Sequence, residues 1–547
     1  MILALRRDPA GAVLAVVAAA GLALLLLYPL ASVLQEAVLG QGGFDPAPVT
    51  RVIVNPVSRQ IVGNTLLMGV LAGVRGTALG LAFALVTARV VAGRLRTALH
   101  LAALLPLIAP PFALALSTIF LFGRQGLVTR QLLGLELSPY GLSGLLFVQA
   151  ITFFPVAYLI FDAVVRQLDP ALEEAALNLG ASRTRILRTV ILPLLRPAAA
   201  GAFLIIFVES LADLANPLLI GGDFNVLASS AYLAVIGEYD TRKAVGFALV
   251  LLFPSLLAFF AQRLWVGEGS VVTVTGKPSG GRLQVLDPLT RTVLLGLCVG
   301  VAALVCALYA AILAGAFTKL LGIDNTVTLD NFRFVLQGIG TRAIGDTTFL
   351  AALAAPVAAT VGLLVAYLAV RSRVPGRIAF DYLLMLGAAA PGIVLGLGIL
   401  LAFHHRPLLL TGTAAIFVIA FVVRTAPVAL RTSAAALLQI DPSLEQASAN
   451  LGAGAVTTFR RITLPLVRRA LLSGVIFSFT RNMTTLSTIA LLVTPNWRIM
   501  TSQILNEIDA QRLGSGAAYS SILIVIVLAA IILLQRLFGR AAVEVAT

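Results

Sequence analysis

Twelve long apolar stretches divide this chain, and they limit its fold more than any other feature. A helix that crosses the hydrocarbon core of a bilayer needs about 20 apolar residues, and only helices and closed barrels satisfy all backbone polar groups in lipid. The chain is 59% hydrophobic and 12% charged, so a soluble fold would lack polar residues to cover its surface. We therefore predict an all-α membrane protein with spans at 12–35, 62–88, 98–122, 141–165, 197–220, 244–264, 291–317, 347–370, 378–403, 409–430, 470–493 and 517–538.

The net charge of +15 indicates orientation rather than a nucleic-acid partner. The basic residues lie between the apolar runs, form no dense stripe and have no interleaved aromatic residues, which excludes nucleic acid as a partner. If the N-terminus is cytoplasmic, cytoplasmic segments hold roughly 24 of the Lys and Arg residues, as the positive-inside rule requires. We expect a multi-pass protein of the bacterial inner membrane, embedded in its lipid bilayer, with both termini in the cytoplasm.

A Gly-, Pro- and Thr-rich segment near the midpoint, 265–290, predicts a cytoplasmic linker between two repeats, 1–264 and 291–547. Within it, 269–277 faintly resembles a phosphate-binding loop. The glycine spacing is two residues too long, and Pro278 stands where Ser or Thr would coordinate magnesium. We therefore expect no cofactor and no ATP hydrolysis in this chain.

The two predicted halves share a duplicated segment. Residues 169–198 (DPALEEAALNLGASRTRILRTVILPLLRPA) and 441–470 (DPSLEQASANLGAGAVTTFRRITLPLVRRA) align without a gap. Each copy follows the fourth predicted span of its half, so the halves have the same orientation and form a parallel repeat.

The first copy predicts two short helices joined by a tight turn. Asp169 and Pro170 suit a helix cap and first turn, and acidic residues favour the positive end of that helix. Gly180 can end the helix, and an Arg-rich second helix then runs to Pro193. An ordinary amphipathic surface loop is the alternative, which the gap-free duplication disfavours.

The duplicated segment resembles the EAA loop of type I binding-protein-dependent ABC importer permeases. That pattern is Glu-Ala-Ala, three residues, Gly, nine residues, an aliphatic residue, any residue and Leu-Pro. The first copy matches with 174–176, Gly180, Val190 and 192–193. The second has Gln-Ala-Ser at 446–448 and otherwise keeps the spacing. The resemblance covers nearly the whole chain and implies two parallel six-helix repeats of the type I importer fold.

In that family the loop is a coupling helix that sits in a cleft of a separate ATPase subunit. The resemblance thus implies two ATPase subunits, which bind ATP and magnesium, and an extracytoplasmic substrate-binding protein. Glu174 would pair with a basic residue of the ATPase, whereas the neutral Gln446 implies weaker coupling or hydrogen bonds in the second half. The implied coupling residues are Glu173, Glu174, Ala175, Gly180, Pro193, Glu445, Gln446, Ala447, Gly452 and Pro465.

Among these permeases, fused twelve-span chains of this length resemble those for ferric iron, mainly through 207–240 and 479–495. Fused permeases for aminoethylphosphonate, thiamine or polyamines are similar and remain alternatives. A secondary transporter also remains possible on span number alone, although it needs no repeated loop. A membrane-embedded enzyme has little support, because no His or carboxylate cluster and no nucleophile stand out.

Ionisable residues at membrane depth are candidates for the translocation pathway. Glu209 and Asp213 are four residues apart in the fifth predicted span, so we expect them on one helical face. Arg481 is the repeat equivalent of Glu209. These residues could form a gate-closing ion pair, supply oxygen ligands to a passing cation, or form only a structural polar pair. No firm metal site is predicted.

Overall fold

The computed structural model describes residues 9–40, 43–136, 138–265, 286–372 and 374–538. In these residues ten helices are long and apolar enough to cross a membrane, and two further helix pairs, each bent at a short break, bring the number to twelve if each pair is one span. This confirms the predicted all-α membrane fold. Most of the predicted linker, 266–285, lies outside the described residues, and the next helix begins inside its predicted range at Pro288.

Each half contains a similar succession of helices, some of which continue through π-helical turns. The α-helices of the first half are Pro9–Leu22, Tyr28–Val38, Ala47–Val54, Pro56–Leu85, Gly93–Ile108, Pro111–Phe122, Leu142–Gln167, Pro170–Asn178, Arg183–Ile186, Leu192–Leu194, Arg196–Ala212, Ala215–Ile220, Leu227–Ile236 and Thr241–Trp265. Those of the second half are Pro288–Ala316, Asp330–Val335, Ile339–Arg371, Arg377–Ala389, Gly392–Ala402, Ala414–Leu438, Pro442–Asn450, Ala455–Thr458, Leu464–Thr484, Met500–Asp509 and Leu513–Phe538.

Short elements complete the two halves. The π-helical turns are Ala23–Leu27, Val86–Val90, Leu127–Leu132, Leu187–Ile191 and Phe459–Thr463. Two antiparallel hairpins follow the first helices of the halves, and their strands are Leu39–Gly40 with Gly43–Phe44, and Thr318–Leu320 with Asp324–Val327.

The third predicted span of each half is not one continuous helix, so the predictions 98–122 and 378–403 were wrong in this respect. Ala109 and Ala390 both have extended backbones, and each is followed by a proline that caps the next helix. A residue before proline is driven out of the helical region by contact with the proline ring. The second-half pair is bent by 105° at this break.

The fifth predicted spans, 197–220 and 470–493, also end earlier than expected. In the first half the helix ends at Ala212, and Asp213 is extended. In the second half it ends at Thr484 and is followed by turns. Both breaks come where polar residues enter the apolar run, because their side chains offer the backbone alternative hydrogen bonds.

The two halves pack their central helices in the same way. Pro56–Leu85 packs on Leu142–Gln167, and Ile339–Arg371 packs on Ala414–Leu438. At the crossing points, a Cβ added to Gly80 or to Gly362 would clash with the facing helix. Small residues allow such close backbone approach, which stabilises helix pairs in lipid.

The first membrane span of each half packs against the other half. Tyr28–Val38 contacts Gly392–Ala402, and Pro288–Ala316 contacts both Gly93–Ile108 and Pro111–Phe122. The hydroxyl of Tyr309 donates a 2.6 Å hydrogen bond to the carbonyl of Leu105. The halves are therefore interlocked, and the cores of the two repeats are shared.

Candidate functional site

The duplicated segment folds as predicted into a capped helix and a tight turn; we call residues 169–198 the first finger. Its helix starts at Pro170, and the Asp169 carboxylate accepts a 2.9 Å hydrogen bond from the amide of Ala171. Gly180 has a φ of +77°, where a side chain would strain the backbone. The amides of Gly180 and Ala181 donate to the carbonyls of Leu177 and Ala176, which is a Schellman cap.

The second finger, 441–470, repeats this geometry. Asp441 accepts a hydrogen bond of 2.8 Å from the amide of Ser443, which lowers the pKa of the Asp441 carboxyl. Gly452 has a φ of +83°, and Ala453 donates to the carbonyl of Ser448. Two copies of the same capped turn indicate that both fingers are rigid at their tips.

Glu173, in the first finger, is buried inside the protein rather than presented to a partner. Its side chain is only 2% exposed and forms a 2.8 Å ion pair with Arg89, at the end of the second span of the same half. Burial raises the pKa of the Glu173 carboxyl, and the guanidinium of Arg89 opposes that rise. Glu173 therefore fastens the finger to its own half.

Glu445 has the same role in the second finger, with looser geometry. It lies 3.7 Å from Arg371, which occupies the position in the second half that Arg89 occupies in the first. The hydroxyl of Thr463 donates to Glu445 at 2.9 Å. Arg371 also donates to the carbonyls of Leu437 and Ile440, just before the finger. Both fingers are thus anchored by an arginine at the end of a span.

The remaining predicted coupling residues lie on the exposed side of the fingers or at their bases. Glu174, Ala175, Gln446 and Ala447 are exposed. Beside them, Leu179 and Leu451 are 88% and 89% exposed at equivalent positions. Leu172 and Leu444, on the helices of the two fingers, are also exposed, and a group of exposed large apolar side chains is typical of a surface that a partner covers.

The prolines at the base of the fingers mark a change in helix geometry. Pro193 and Pro465 each follow a π-helical turn, Leu187–Ile191 and Phe459–Thr463. Proline has no amide hydrogen to donate, and prolines and π-helical turns are both usual places for a helix to kink. In the first half the chain then bends by 61° into Arg196–Ala212.

Sequence reasoning did not find the partners of the buried carboxylates. In the sequence, Arg89 and Arg371 count only among the basic residues of the predicted cytoplasmic segments. A signal was present, because Arg occurs at the same position relative to the repeated Gly-Asn-Thr and Gly-Asp-Thr at 63–65 and 345–347. These tripeptides lie near the start of the second span in each half. An arginine at the end of both spans therefore indicates that it has an equivalent partner in the two halves.

The predicted pathway residues Glu209 and Arg481 meet across the two halves. One Glu209 carboxylate oxygen is 3.1 Å from Arg481, and the other is 3.9 Å from Arg424. Arg424 also donates to the carbonyls of Ala388 and Ala390 at the broken third span, where the helix leaves carbonyls without partners. We call Glu209, Arg424 and Arg481 the interhalf ion cluster.

Asp213 does not share a helical face with Glu209, so that prediction was wrong. The helix ends at Ala212, and the Asp213 carboxylate accepts hydrogen bonds from the Gln149 side chain at 2.9 Å and the Asn216 side chain at 2.7 Å. Both amides belong to the first half. The Asp213 carboxylate is therefore hydrogen-bonded within its own half and forms no ion pair with the second half among the described residues.

A cavity lies between the halves at the ion cluster. Its wall includes Asp213 and Phe112. Phe112 lies near the start of the helix Pro111–Phe122, which follows the break in the third span of the first half. The corresponding helix of the second half starts at Gly392, where an added Cβ would clash with Ser487 of the cavity wall. Two helix N-termini, which carry partial positive charge, therefore lie at this cavity. Among the described residues no group of His, Cys, Asp or Glu could hold a metal ion.

Apolar spans in two like halves, paired rigid fingers and an ion cluster between the halves define a transport permease. Residues 76–266 and 358–542, more than half of the chain, match the family described as binding-protein-dependent transport system inner membrane component. The chain belongs to this family, and it is an inner-membrane permease subunit of an ABC importer. A secondary transporter and a membrane enzyme are thereby set aside.

Within the family, the chain is more similar to some permeases than to others. The chain is 37% identical to the ferric transport system permease protein FbpB of Actinobacillus pleuropneumoniae over 94% of this chain and 76% of that protein. It is 36% identical to a putative ferric transport system permease of Haemophilus influenzae over 87% and 76% of the two chains. A putative 2-aminoethylphosphonate permease of Salmonella typhimurium is 29% identical over 28% of this chain and 58% of its own.

Proposed function

We propose that this permease carries ferric iron from an extracytoplasmic binding protein into the cytoplasm, and that two ATPase subunits bound to its fingers drive the transport. The observation that carries the mechanism is the pair of rigid fingers, each with an exposed tip and a buried anchor. The cargo is supported by two relatives that are similar over most of the chain and are named as ferric transport permeases.

The fingers are suited to transmit movement because each has two different sides. One side binds its own half through Glu173 with Arg89, or Glu445 with Arg371. The other side exposes a leucine that an ATPase cleft can cover. When the ATPase subunits approach each other on binding ATP, the fingers move with them, and the anchors pull on the second spans.

The fingers lie on the cytoplasmic side in this proposal, together with both chain termini. The excess of Lys and Arg on that side supports the orientation. The strand pairs Leu39–Gly40 with Gly43–Phe44 and Thr318–Leu320 with Asp324–Val327 then lie outside, together with the helix Leu227–Ile236, and the binding protein docks on this side.

The interhalf ion cluster acts as the gate in the closed arrangement. Glu209 belongs to the first half, whereas Arg424 and Arg481 belong to the second, so separation of the halves must break the pair. A partly buried pair attracts more strongly than an exposed one, because water screens it less. The energy of ATP binding is used to open it.

A first experiment tests the fingers. The permease is co-expressed with its ATPase subunit, and co-purification is compared for Leu179→Asp with Leu451→Asp and for the control Val327→Asp. Val327 is 83% exposed on a hairpin at the opposite end in the proposed orientation. We expect the double finger variant to lose the ATPase while remaining in the membrane, and the control to retain it. Retention by both would contradict the role of the fingers.

A second experiment tests the cargo. Cells that express the permease, the ATPase and the binding protein are supplied with labelled ferric iron or labelled aminoethylphosphonate. We expect ATP-dependent iron accumulation and no accumulation of the phosphonate. Uptake of the phosphonate alone would overturn the iron assignment but leave the importer mechanism intact.

A further inference from the structure

Two short helices lie outside the membrane spans in the proposed orientation, and neither is capped by the side chain of the residue before it. They are Leu227–Ile236 and Met500–Asp509, and we call them the external helices. The residues before them, Val226 and Ile499, have apolar side chains that cannot accept a hydrogen bond. Because the first amides of a helix have no partner within it, another part of the chain must accept from them.

The second span of each half supplies that acceptor. The amide of Leu227 donates a 2.8 Å hydrogen bond to the hydroxyl of Thr65, and the amide of Met500 donates one of 2.8 Å to the hydroxyl of Thr347. Each hydroxyl in turn donates to the carbonyl four residues earlier in its own span, at 2.7 Å in both halves. Both threonine side chains are fully buried, so water does not compete for these bonds.

The residue before each threonine binds the same stretch of chain. The Asn64 side chain donates at 3.1 Å to the carbonyl of Asn225, and the Asp346 carboxylate accepts at 3.0 Å from the amide of Arg498. Asn225 and Arg498 both lie two residues before an external helix. Each second span thus holds the start of its external helix with two consecutive side chains, which we call the outer clamp of that half.

The same two spans bind the fingers at their cytoplasmic ends. Arg89 follows Thr65 by 24 residues, and Arg371 follows Thr347 by 24 residues, a separation of about 36 Å along a helix. These are the arginines that anchor the two fingers. In each half, a finger and an external helix are therefore attached to opposite ends of one span.

Each external helix also reaches the other half. Leu227–Ile236 contacts Gly392–Ala402, and Met500–Asp509 contacts Ala215–Ile220. A displacement of an external helix therefore acts on the interface at which the halves separate in the proposed transport.

We infer that each second span transmits movement between the finger and the external helix of its half, and that Thr65 and Thr347 are the positioning residues at its outer end. The inference rests on the proposed function, in which ATPase subunits bind the fingers and the binding protein docks outside. A docked binding protein that displaces the external helices pulls on the second spans through the outer clamps. The finger anchors pass this movement to the ATPase subunits, so that docking stimulates ATP hydrolysis.

The test measures ATP hydrolysis by the complete complex in lipid nanodiscs, with and without saturating iron-loaded binding protein. Thr65→Val with Thr347→Val removes both hydroxyls and keeps the branched shape of the side chains. We expect unchanged basal hydrolysis, because the fingers and their anchors are intact, and a stimulation at saturation that is lower by about fivefold or more. Stimulation equal to that of the wild type would overturn the inference.

Two further variants separate the hydroxyls from their surroundings. Thr65→Ser with Thr347→Ser keeps both hydroxyls, and we expect wild-type stimulation. Thr348→Val is the matched control in the same span, because the hydroxyl of Thr348 donates to the carbonyl of Ile344 within its own helix; it too should keep wild-type stimulation. If either variant loses as much stimulation as the double valine variant, packing rather than the clamp hydroxyls is responsible and the inference is overturned.

The dependence on binding-protein concentration distinguishes transmission from docking. Loss of transmission lowers the maximum stimulation. If the double valine variant instead reaches the wild-type maximum at a higher concentration of binding protein, the clamps only shape the docking surface, and the inference is overturned.

Hydrogen exchange tests the reverse direction, because a coupling between two sites is reciprocal. A non-hydrolysable ATP analogue, added without binding protein, should change amide exchange in the external helices of the wild type but not in those of the double valine variant. The same change in both proteins would contradict transmission through the clamps.

These experiments also separate the inference from the function on which it rests. If iron-loaded binding protein does not stimulate the wild-type complex, the proposed function fails. If it stimulates the wild type and the double valine variant equally, only the transmission through the outer clamps fails.

Discussion

Arg89→Met removes the guanidinium that meets Glu173 and replaces it with an apolar side chain of similar length. Arg89 is the only described ion-pair partner of this carboxylate, and the two side chains are 10% and 2% exposed. The substitution therefore leaves a buried charge without compensation, which costs about 3–5 kcal/mol. The finger must either leave its position or take up a proton on Glu173.

Protonation of Glu173 costs about as much free energy as leaving its charge buried without a partner. The ordinary pKa of a glutamate is 4.5, so keeping the carboxyl protonated at about pH 7.5 costs about 4 kcal/mol at about 1.4 kcal/mol per pH unit. Either way, the docked first finger loses about 4 kcal/mol. That loss corresponds to roughly a thousandfold rise in the undocked population.

Hydrogen exchange of the amides in Pro170–Asn178 measures this population in lipid nanodiscs. Burial without Arg89 raises the pKa of Glu173 further above its unfolded value. Stability from a raised carboxyl pKa is fully present below the unfolded value and is lost as the pH rises through the docked value. The extra opening in Arg89→Met, measured as the exchange rate relative to wild type at the same pH so that the intrinsic pH dependence of amide exchange cancels, should therefore become smaller as the pH falls below about 7.5.

Two further variants identify the cause. Arg89→Met with Glu173→Gln removes both charges, and we expect it to recover most of the protection. Arg166→Met is the matched control at the same end of a neighbouring span, where Arg166 is 38% exposed and pairs with Asp162; its effect should stay below about 1 kcal/mol. If the exchange rate relative to wild type neither falls with falling pH nor recovers in the double variant, the reasoning is refuted.

Three other changes test separate parts of the structure. Gly180→Val places a side chain at a φ of +77° in open space, so we expect about 1–2 kcal/mol of backbone strain and reduced iron uptake with normal membrane insertion. The control is Gly63→Ala, at a helical position that is also in open space, and equal uptake by the two variants would contradict the expectation. Glu209→Gln weakens the gate, and we expect higher ATP hydrolysis in the absence of binding protein; a wild-type rate would argue against a gate. Tyr309→Phe loses a hydrogen bond between the halves, and we expect about 0.5–1.5 kcal/mol lower stability by thermal unfolding in detergent, whereas an unchanged transition would show that the bond contributes nothing.

The two fingers show how far local sequence reasoning reaches. The helix from Pro170, its Asp169 cap and the turn at Gly180 were predicted and are present, because caps and left-handed turns depend on neighbours within a few residues. The role of Glu173 could not be predicted in the same way. Its partner, Arg89, is more than eighty residues away, and only the packing of two helices brings them together.

The pathway residues show the same division. The repeat placed Glu209 and Arg481 at equivalent positions, and the fold brings them into contact. Arg424 entered the ion cluster without a signal in the repeat, because its equivalent in the first half is Thr152. The end of the helix at Ala212, which separates Asp213 from Glu209, depends on hydrogen bonds from the Gln149 and Asn216 amides.

The sequence by itself determined that this chain spans a lipid bilayer, that it consists of two similar halves and that each half has one capped finger. Apolar length, duplication and turn chemistry are properties of the chain alone, and in lipid a continuous apolar stretch of about 20 residues satisfies its own backbone polar groups as a helix. The tertiary structure decided that the halves exchange their first helices, that the third spans break at a cavity and which charges meet there. Lipid solvates all apolar helix faces alike, so the choice among them depends on the close fit of side chains and on a few buried polar contacts.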